Sequence, residues 1–287
     1  MTTSNAVTQA RQDLEAAVIA LRDSDAWRRN LAIMARFHHC SLNNQMLIAY
    51  QRPDATYVRG FKSWLDCGRA VRKGEHGIRI LAPRPWSRTE TNAAGDDETE
   101  SGISFRVVYV FDVTQTDPVP GYPHPWQPPV VLSAVGDETH AAALWGALAD
   151  HAAALGLMLS TADDHAPRSS HIHGYYQHSG QFVWIRPAAL PDMAATLAHE
   201  IAHAVTHDTA AGMTRDIHEL IAESVAYIVC SQFGLDLSLR SADYVAGWID
   251  DPAAFRTGMA VIHDAAASLI DAVTPALAVE PPLELAA

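Results

Sequence analysis

The stretch from Ala195 to His207, ATLAHEIAHAVTH, constrains this chain more than any other, because His199 and His203 stand four apart with Glu200 beside the first. Residues four apart share one face of a helix, so both imidazoles can meet one metal ion. Zinc held by few protein ligands keeps a position for water and lowers its pKa towards ~7, which leaves a nearby carboxylate to take the proton. His199 and His203 are therefore metal-ligand candidates, and Glu200 is the natural general base. With 15 His in 287 residues, chance supplies only about 0.03 matches to this pattern. The helix is also apolar nearly all round, through Leu197, Ala198, Ile201, Ala202, Ala204 and Val205. Imidazoles buried in such surroundings need partners.

A third ligand is required. The extended motif with a downstream Gly and third His is absent, since Thr206 and Thr209 hold those positions. The next helical pattern, Asp216 to Phe233, offers Glu219 and Glu223 on one face with Ala222, Ala226, Cys230 and Phe233. A carboxylate on an apolar stripe is expensive unless it is paired. Glu219 is expected as third ligand and Glu223 as acceptor for a ligand imidazole N–H, with the reverse assignment left open. The cofactor expected is one Zn2+, or a similar divalent ion. Over about Gly180 to Phe233 these residues resemble the gluzincin-type metallopeptidases, especially the ImmA/IrrE-like group. The resemblance implies amide hydrolysis and a strand, GQFVWIRP at Gly180–Pro187, that borders the cleft and can pair with an extended peptide. The oxyanion donor is left open among Tyr176, His178 and Tyr227.

Length and charge bound the rest. A chain of 287 residues exceeds the usual single core, so two domains are expected. The net charge of −13 is unevenly spread: residues 1–86 carry a net of +6 and the remainder −19. Such asymmetry fits a polyanion-binding half joined to an acidic half. No uninterrupted apolar stretch reaches membrane-span length, and the first thirty residues lack a signal-peptide core, so a cytoplasmic protein with no membrane partner is expected. Cys40, Cys67 and Cys230 are far apart, which fits reduced thiols.

The N-terminal half reads as three helices (Asn5 to about Arg22, Asp25 to Arg36, Leu42 to Tyr50), a short FKSWLDCG helix, and strands around Ile78–Ala82 and Ser104–Asp112. Between the strands, SRTETNAAGDDETESG lacks apolar periodicity and is expected to be a mobile loop. Tyr57, Arg59, Phe61, Lys62, Trp64, Arg69, Arg72, Lys73 and Arg79 interleave rings and cations. Such mixtures hold single-stranded nucleic acid, cations tracking phosphates while rings stack on bases. The alternative is that Trp64 and Phe61 are core and the cations a solvated face. From about Phe37 to Asp117, strongest at Asn43–Pro53, Gly60–Trp64 and Gly68–Gly77, the sequence looks like the N-terminal single-stranded-DNA-binding domain of ArdC-like antirestriction proteins. In that family such a domain precedes a zinc-metallopeptidase-like domain, which implies a role in antirestriction or mobile-element establishment.

The Pro-rich segment Thr116–Pro129 is expected to be a stiff connector. Beyond it, Asp137 is expected to N-cap a helix running to about Leu155, followed by a strand at MLSTAD. The loop with His165, His171, His173 and His178 fits no zinc spacing and is expected to be solvated. Two further helices are expected at Ala242–Asp250 and Asp251–Val273. The fold class expected is α+β: residues 1–128 an ssDNA-binding domain of helices and small sheet, 129–273 a zincin-like metallopeptidase domain, and 274–287 a disordered tail. Two function classes follow, a ssDNA-binding protein with a peptidase-like site of unknown protein or peptide substrate, and a DNA-binding protective protein whose zinc is structural.

Overall fold

The computed structural model describes residues 3–21, 24–91, 97–127, 138–235, 237 and 252–277. The chain divides into two compact units, Met1–Val18 with Asn43–Pro129, and Ile19–Leu42 with Val130–Glu284. Each combines helices with small sheets, a two-unit α+β architecture. The helix expected at Ala242–Asp250, the Asp137 cap and residues 278–287 of the expected tail lie outside the described residues, whereas the first four residues of that tail, Thr274–Leu277, form a 3-10 turn rather than disordered chain.

In the first unit, α1 (Thr3–Ala20) and α3 (Leu42–Gln51) precede β1 (Val58–Gly60), α4 (Phe61–Asp66), β2 (Arg69–Val71), β3 (Ile78–Thr91), β4 (Asp97–Asp112) and β5 (Thr116–Pro118). One antiparallel sheet runs β1-β4-β3, and β2 pairs β5. The period of two along β3 buries Ile78, Ile80 and Ala82 on one face of the sheet, together with Val110 of β4. The outer edge of β3 is closed by side-chain amides: Asn44 pairs with the N–H and C=O of Leu81, and Gln51 with those of Arg79. This satisfies backbone groups that would otherwise template another strand.

Three differences from the sequence expectation have physical causes. The segment expected to be a loop extends both strands, to Thr91 and from Asp97. There Arg88 faces Glu100 and Thr89 faces Thr99, with the threonine hydroxyl oxygens 3.1 Å apart. Opposite charges and β-branched pairs stabilise a ladder wet on both faces, which leaves no hydrophobic alternation to read. The Pro-rich connector begins as β5, and its Trp126 packs edge-on against Trp64 and Tyr57. Finally, α2 (Ser24–Arg36) belongs to the second unit, whereas a division at residue 128 places it in the first. Its buried Trp27, Leu31 and Met34 decide this, with the Trp27 ring 6.4 Å from Phe255.

The second unit adds α5 (Glu138–Ala154), β6 (Met158–Ser160), β7 (Gly174–Gln177), β8 (Phe182–Ile185), α6 (Leu190–Thr206), α7 (Arg215–Gln232) and α8 (Pro252–Val273). The sheet order is β6-β8-β7, with β6 parallel and β7 antiparallel to β8. Helix α6 lies between α5 and α7 and against β7 and β8, and buries Leu197, Ala198, Ile201 and Ala202 completely. By length and composition α8 could cross a membrane. It nevertheless lays Phe255, Met259, Ile262, Ala266, Leu269 and Val273 into the core at helical spacing.

Candidate functional site

Helices α6 and α7 are joined by a short connection in which Gly212 takes φ +89°, a conformation that glycine adopts without steric cost. Their facing sides bring three ligand atoms together. His199 Nε2 and His203 Nε2 are 3.0 Å apart, and Glu219 Oε2 lies 3.4 Å from the first and 3.5 Å from the second. Donors ~2.0–2.1 Å from one tetrahedral ion stand ~3.3 Å apart, so two imidazoles and a carboxylate in this triangle fit a divalent metal. The two imidazoles hold the Glu219 carboxyl well below the usual carboxylate range through hydrogen bonds, against an opposing effect of burial. Glu223, one turn on, lines the same cleft without joining the triangle. The stripe carrying both carboxylates opens into the cleft rather than into the core, and the Glu219 side chain is 44% exposed.

Glu200 sits beside the triangle and is almost fully buried. Burial pushes its carboxyl up to about 7, the Glu219 charge adds to this, and His203 opposes it. The backbone N–H of Tyr176 on β7 donates to the Glu200 carboxylate. β7 can come this close because residue 174 is glycine: a Cβ there would stand 2.6 Å from Thr196 Cγ2 and 3.1 Å from Glu200 Oε1.

The cleft above the triangle has a volume of about 1020 Å³, and all three oxyanion candidates, Tyr176, His178 and Tyr227, line it. Tyr176 Oη is 3.0 Å from His178 Nδ1, and the His178 ring stacks on His207 at 3.8 Å. His171, His173 and His178, expected in a solvated loop, thus belong to the rim of the cleft. The strand expected to present an edge there, β8, is paired on both sides. The outer strand is β7, whose short GYYQ pattern was hidden among the histidines. It is β7 that lines the cleft, through Gly174, Tyr175 and Tyr176.

In the first unit the nine interleaved residues separate into two sets. Trp64 is fully buried and donates from its indole N–H to the Phe111 carbonyl at 2.7 Å, so this ring is core and cannot stack on a base. Arg69 is buried, bonded to Thr116 and to the Trp126 carbonyl. Arg79 pairs with Asp13 at 2.7 Å, and Arg72 with Glu75 and Asp117. The Arg59 guanidinium lies over Trp64 and Trp126, and Tyr57 packs on Trp126. Phe61, Lys62 and Lys73 face solvent.

Sequence reading missed the rings on the outer face of the hairpin. Phe105, Val107, Tyr109 and Phe111 alternate along β4, with Phe105 55% and Tyr109 52% exposed, and Phe61 stands edge-on to Phe111 at 6.3 Å. The period-two run SFRVVYVFD carries that signal.

Residues 9–111 match the model of the N-terminal domain of anti-restriction factor ArdC. The metal-free crystal structure of the antirestriction protein ArdC from plasmid R388 superposes with a TM-score of 0.52 at 22% identity, over 82% of this chain and 84% of that one. The Mn(II)-bound structure of the same protein gives a TM-score of 0.48 at 21% identity over the same shares. An uncharacterized protein of Bacillus anthracis is 25% identical over 276 residues, 84% of this chain and 46% of the relative, so the chain spans about half the length of the curated relative it matches. Residues 9–111 are thus similar to the ArdC N-terminal domain, and the chain shares the fold of ArdC over 82% of its length.

Proposed function

We propose that the protein is a cytoplasmic antirestriction factor that binds single-stranded DNA through its first unit and carries a metal-dependent, peptidase-like hydrolytic centre in its second. The observation that carries the hydrolytic reading is the triangle of His199, His203 and Glu219 with the Glu200 carboxyl beside it. These three residues would hold a divalent ion, zinc or a similar metal. The ion supplies Lewis acidity towards a scissile carbonyl. Glu200 accepts the proton of the attacking water and returns it to the leaving amine, the two halves of general base and general acid work. Burial raises the proton affinity of that carboxyl, which favours its taking the proton. Tyr176, His178 and Tyr227 line the cleft where an oxyanion would be stabilised, and the outer strand β7 offers backbone groups to an extended peptide.

The DNA reading rests on the solvent-facing rings Phe61, Phe105 and Tyr109 and on the exposed Lys62 and Lys73 of the same unit. Rings stack on bases without reading sequence, and the lysines add salt-dependent affinity for phosphates.

The test compares the parent chain with His203→Ala and Glu200→Gln in two measurements, metal content by elemental analysis and protection of incoming unmodified DNA in a restricting host. His203→Ala is expected to lose the metal, and Glu200→Gln to keep it while losing protection. Unchanged metal content in His203→Ala would sink the metal assignment. Protection at the parent level in Glu200→Gln would leave a DNA-binding protective protein whose metal is structural.

A further inference from the structure

We propose a second divalent-metal site in the second unit, built from His38, His39 and Asp271 on elements that take no part in the α6–α7 centre. The two histidines occupy the turn that follows α2, and Asp271 lies in the last turn of α8. His38 Nε2 and His39 Nδ1 each stand 3.9 Å from Asp271 Oδ1, and all three ligand atoms lie within 4.8 Å of one another. Separations of 3.9 Å are too long for hydrogen bonds. They are within reach of a shared ion, since two donors each ~2.1 Å from one metal can be up to ~4.2 Å apart. His39 and Asp271 are exposed, and rotation of their side chains closes the remaining gap.

His38 is prepared for this role. It is buried, and its Nδ1 lies 2.9 Å from the Ala35 carbonyl, which accepts a hydrogen only from a protonated Nδ1. That bond leaves the Nε2 lone pair directed at the cluster, the arrangement by which a backbone carbonyl fixes tautomer and orientation in metal-binding histidines. The rings of His38 and His39 are 3.9 Å apart, and one nitrogen of each faces the same Asp271 oxygen. His263, the other imidazole nearby, has its nitrogens engaged by Asp264 and by the Cys40 carbonyl, and it holds the turn in place. A donor set of two imidazoles and one carboxylate selects zinc, cobalt, nickel or copper over magnesium or calcium. A bound ion would tie the end of α2 to the end of α8, positions more than two hundred residues apart in the chain, and so stabilise the folded unit by mass action.

The experiment is isothermal titration of the chelator-stripped full-length chain with Zn(II), with thermal melts at each stage. The parent is expected to take up two equivalents. His203→Ala removes the α6–α7 equivalent, whereas His39→Ala and Asp271→Asn, both at exposed positions, weaken the other by at least about tenfold and shrink the zinc-induced rise in melting temperature. Circular dichroism of the two surface variants checks that they remain folded. A parent that takes up no more than the equivalent removed by His203→Ala overturns the proposal. So does a second equivalent that survives both His39→Ala and Asp271→Asn, because the ion would then sit elsewhere, for example on the histidine rim of the cleft.

Discussion

Asp112 shows how much a single carboxylate can organise. It is fully buried at the end of β4. Its Oδ2 accepts from the backbone N–H groups of Thr56 and Tyr57 at 2.6 and 3.0 Å, and its Oδ1 accepts from the N–H of Thr114 at 2.9 Å. Gln115 reaches back to the Asp112 N–H, completing a capping box. Burial on its own pushes this carboxyl up, but the Thr114, Thr56 and Tyr57 hydrogen bonds outweigh it and hold the group below its ordinary value. A carboxyl depressed in the folded state adds stability that is fully present above its unfolded pKa of ~3.9 and is lost as pH falls through the folded value. Asp112→Ala, which leaves several buried donors without an acceptor, is expected to destabilise the first unit by about 3 kcal/mol or more at pH 7. Urea titrations should show the gap between parent and variant narrowing below about pH 4. A gap of equal size at pH 7 and pH 3 would count against this account.

Among the elements, the β3–β4 hairpin has two unlike faces on one strand, one buried and one carrying exposed rings. Val110 is buried on one face, while Phe105 and Tyr109 are exposed on the other. If the outer face stacks on bases, Phe105→Ala and Tyr109→Ala should each cost ~1–3 kcal/mol of oligonucleotide affinity at every salt concentration. Lys62→Ala and Lys73→Ala should instead flatten the salt dependence by about 0.7 in slope for each phosphate no longer neutralised. Trp64→Ala belongs to another category, since removing a fully buried indole is expected to destabilise the unit by about 3–5 kcal/mol. Fluorescence titration of a labelled oligonucleotide at several salt concentrations makes the measurement. Parent-level affinity in both outer-face variants would remove the stacking surface from the hairpin.

For the molecule as a whole, the path of the chain decides which fragments can stand alone. The segment Ile19–Leu42 belongs to the second unit although it is flanked on both sides by residues of the first. A fragment of residues 1–128 therefore carries α2 without its partners and exposes Trp27, Leu31 and Met34, all buried in the intact chain. Patches of this kind drive association. The fragment is expected to bind a hydrophobic dye and to elute as oligomers in size-exclusion chromatography, and charged substitutions at Leu31 and Met34 should restore a monomer. A monomeric, dye-silent fragment without those substitutions would show that α2 can bury its face elsewhere.

The local periodicities were legible without any structure. Four-residue spacing placed His199 with His203 on one helix, alternation placed Ile78, Ile80 and Ala82 on one face of a strand, and the order of the basic and aromatic residues carried the family resemblance. These are short-range properties, set by 3.6 residues per helical turn and by the pleat of a strand. The acidic hairpin escaped because a ladder solvated on both faces has no apolar period. β7 escaped because four residues among histidines are too few to show one. Only the folded chain decided that Glu219 and not Glu223 reaches both imidazoles, that Trp64 is core while Phe105 and Tyr109 face outward, that α2 belongs with α8, and that His38 and His39 meet Asp271. Each of these depends on which side of an element is covered by a partner distant in sequence, and that choice is made by packing across the whole unit rather than by any local window.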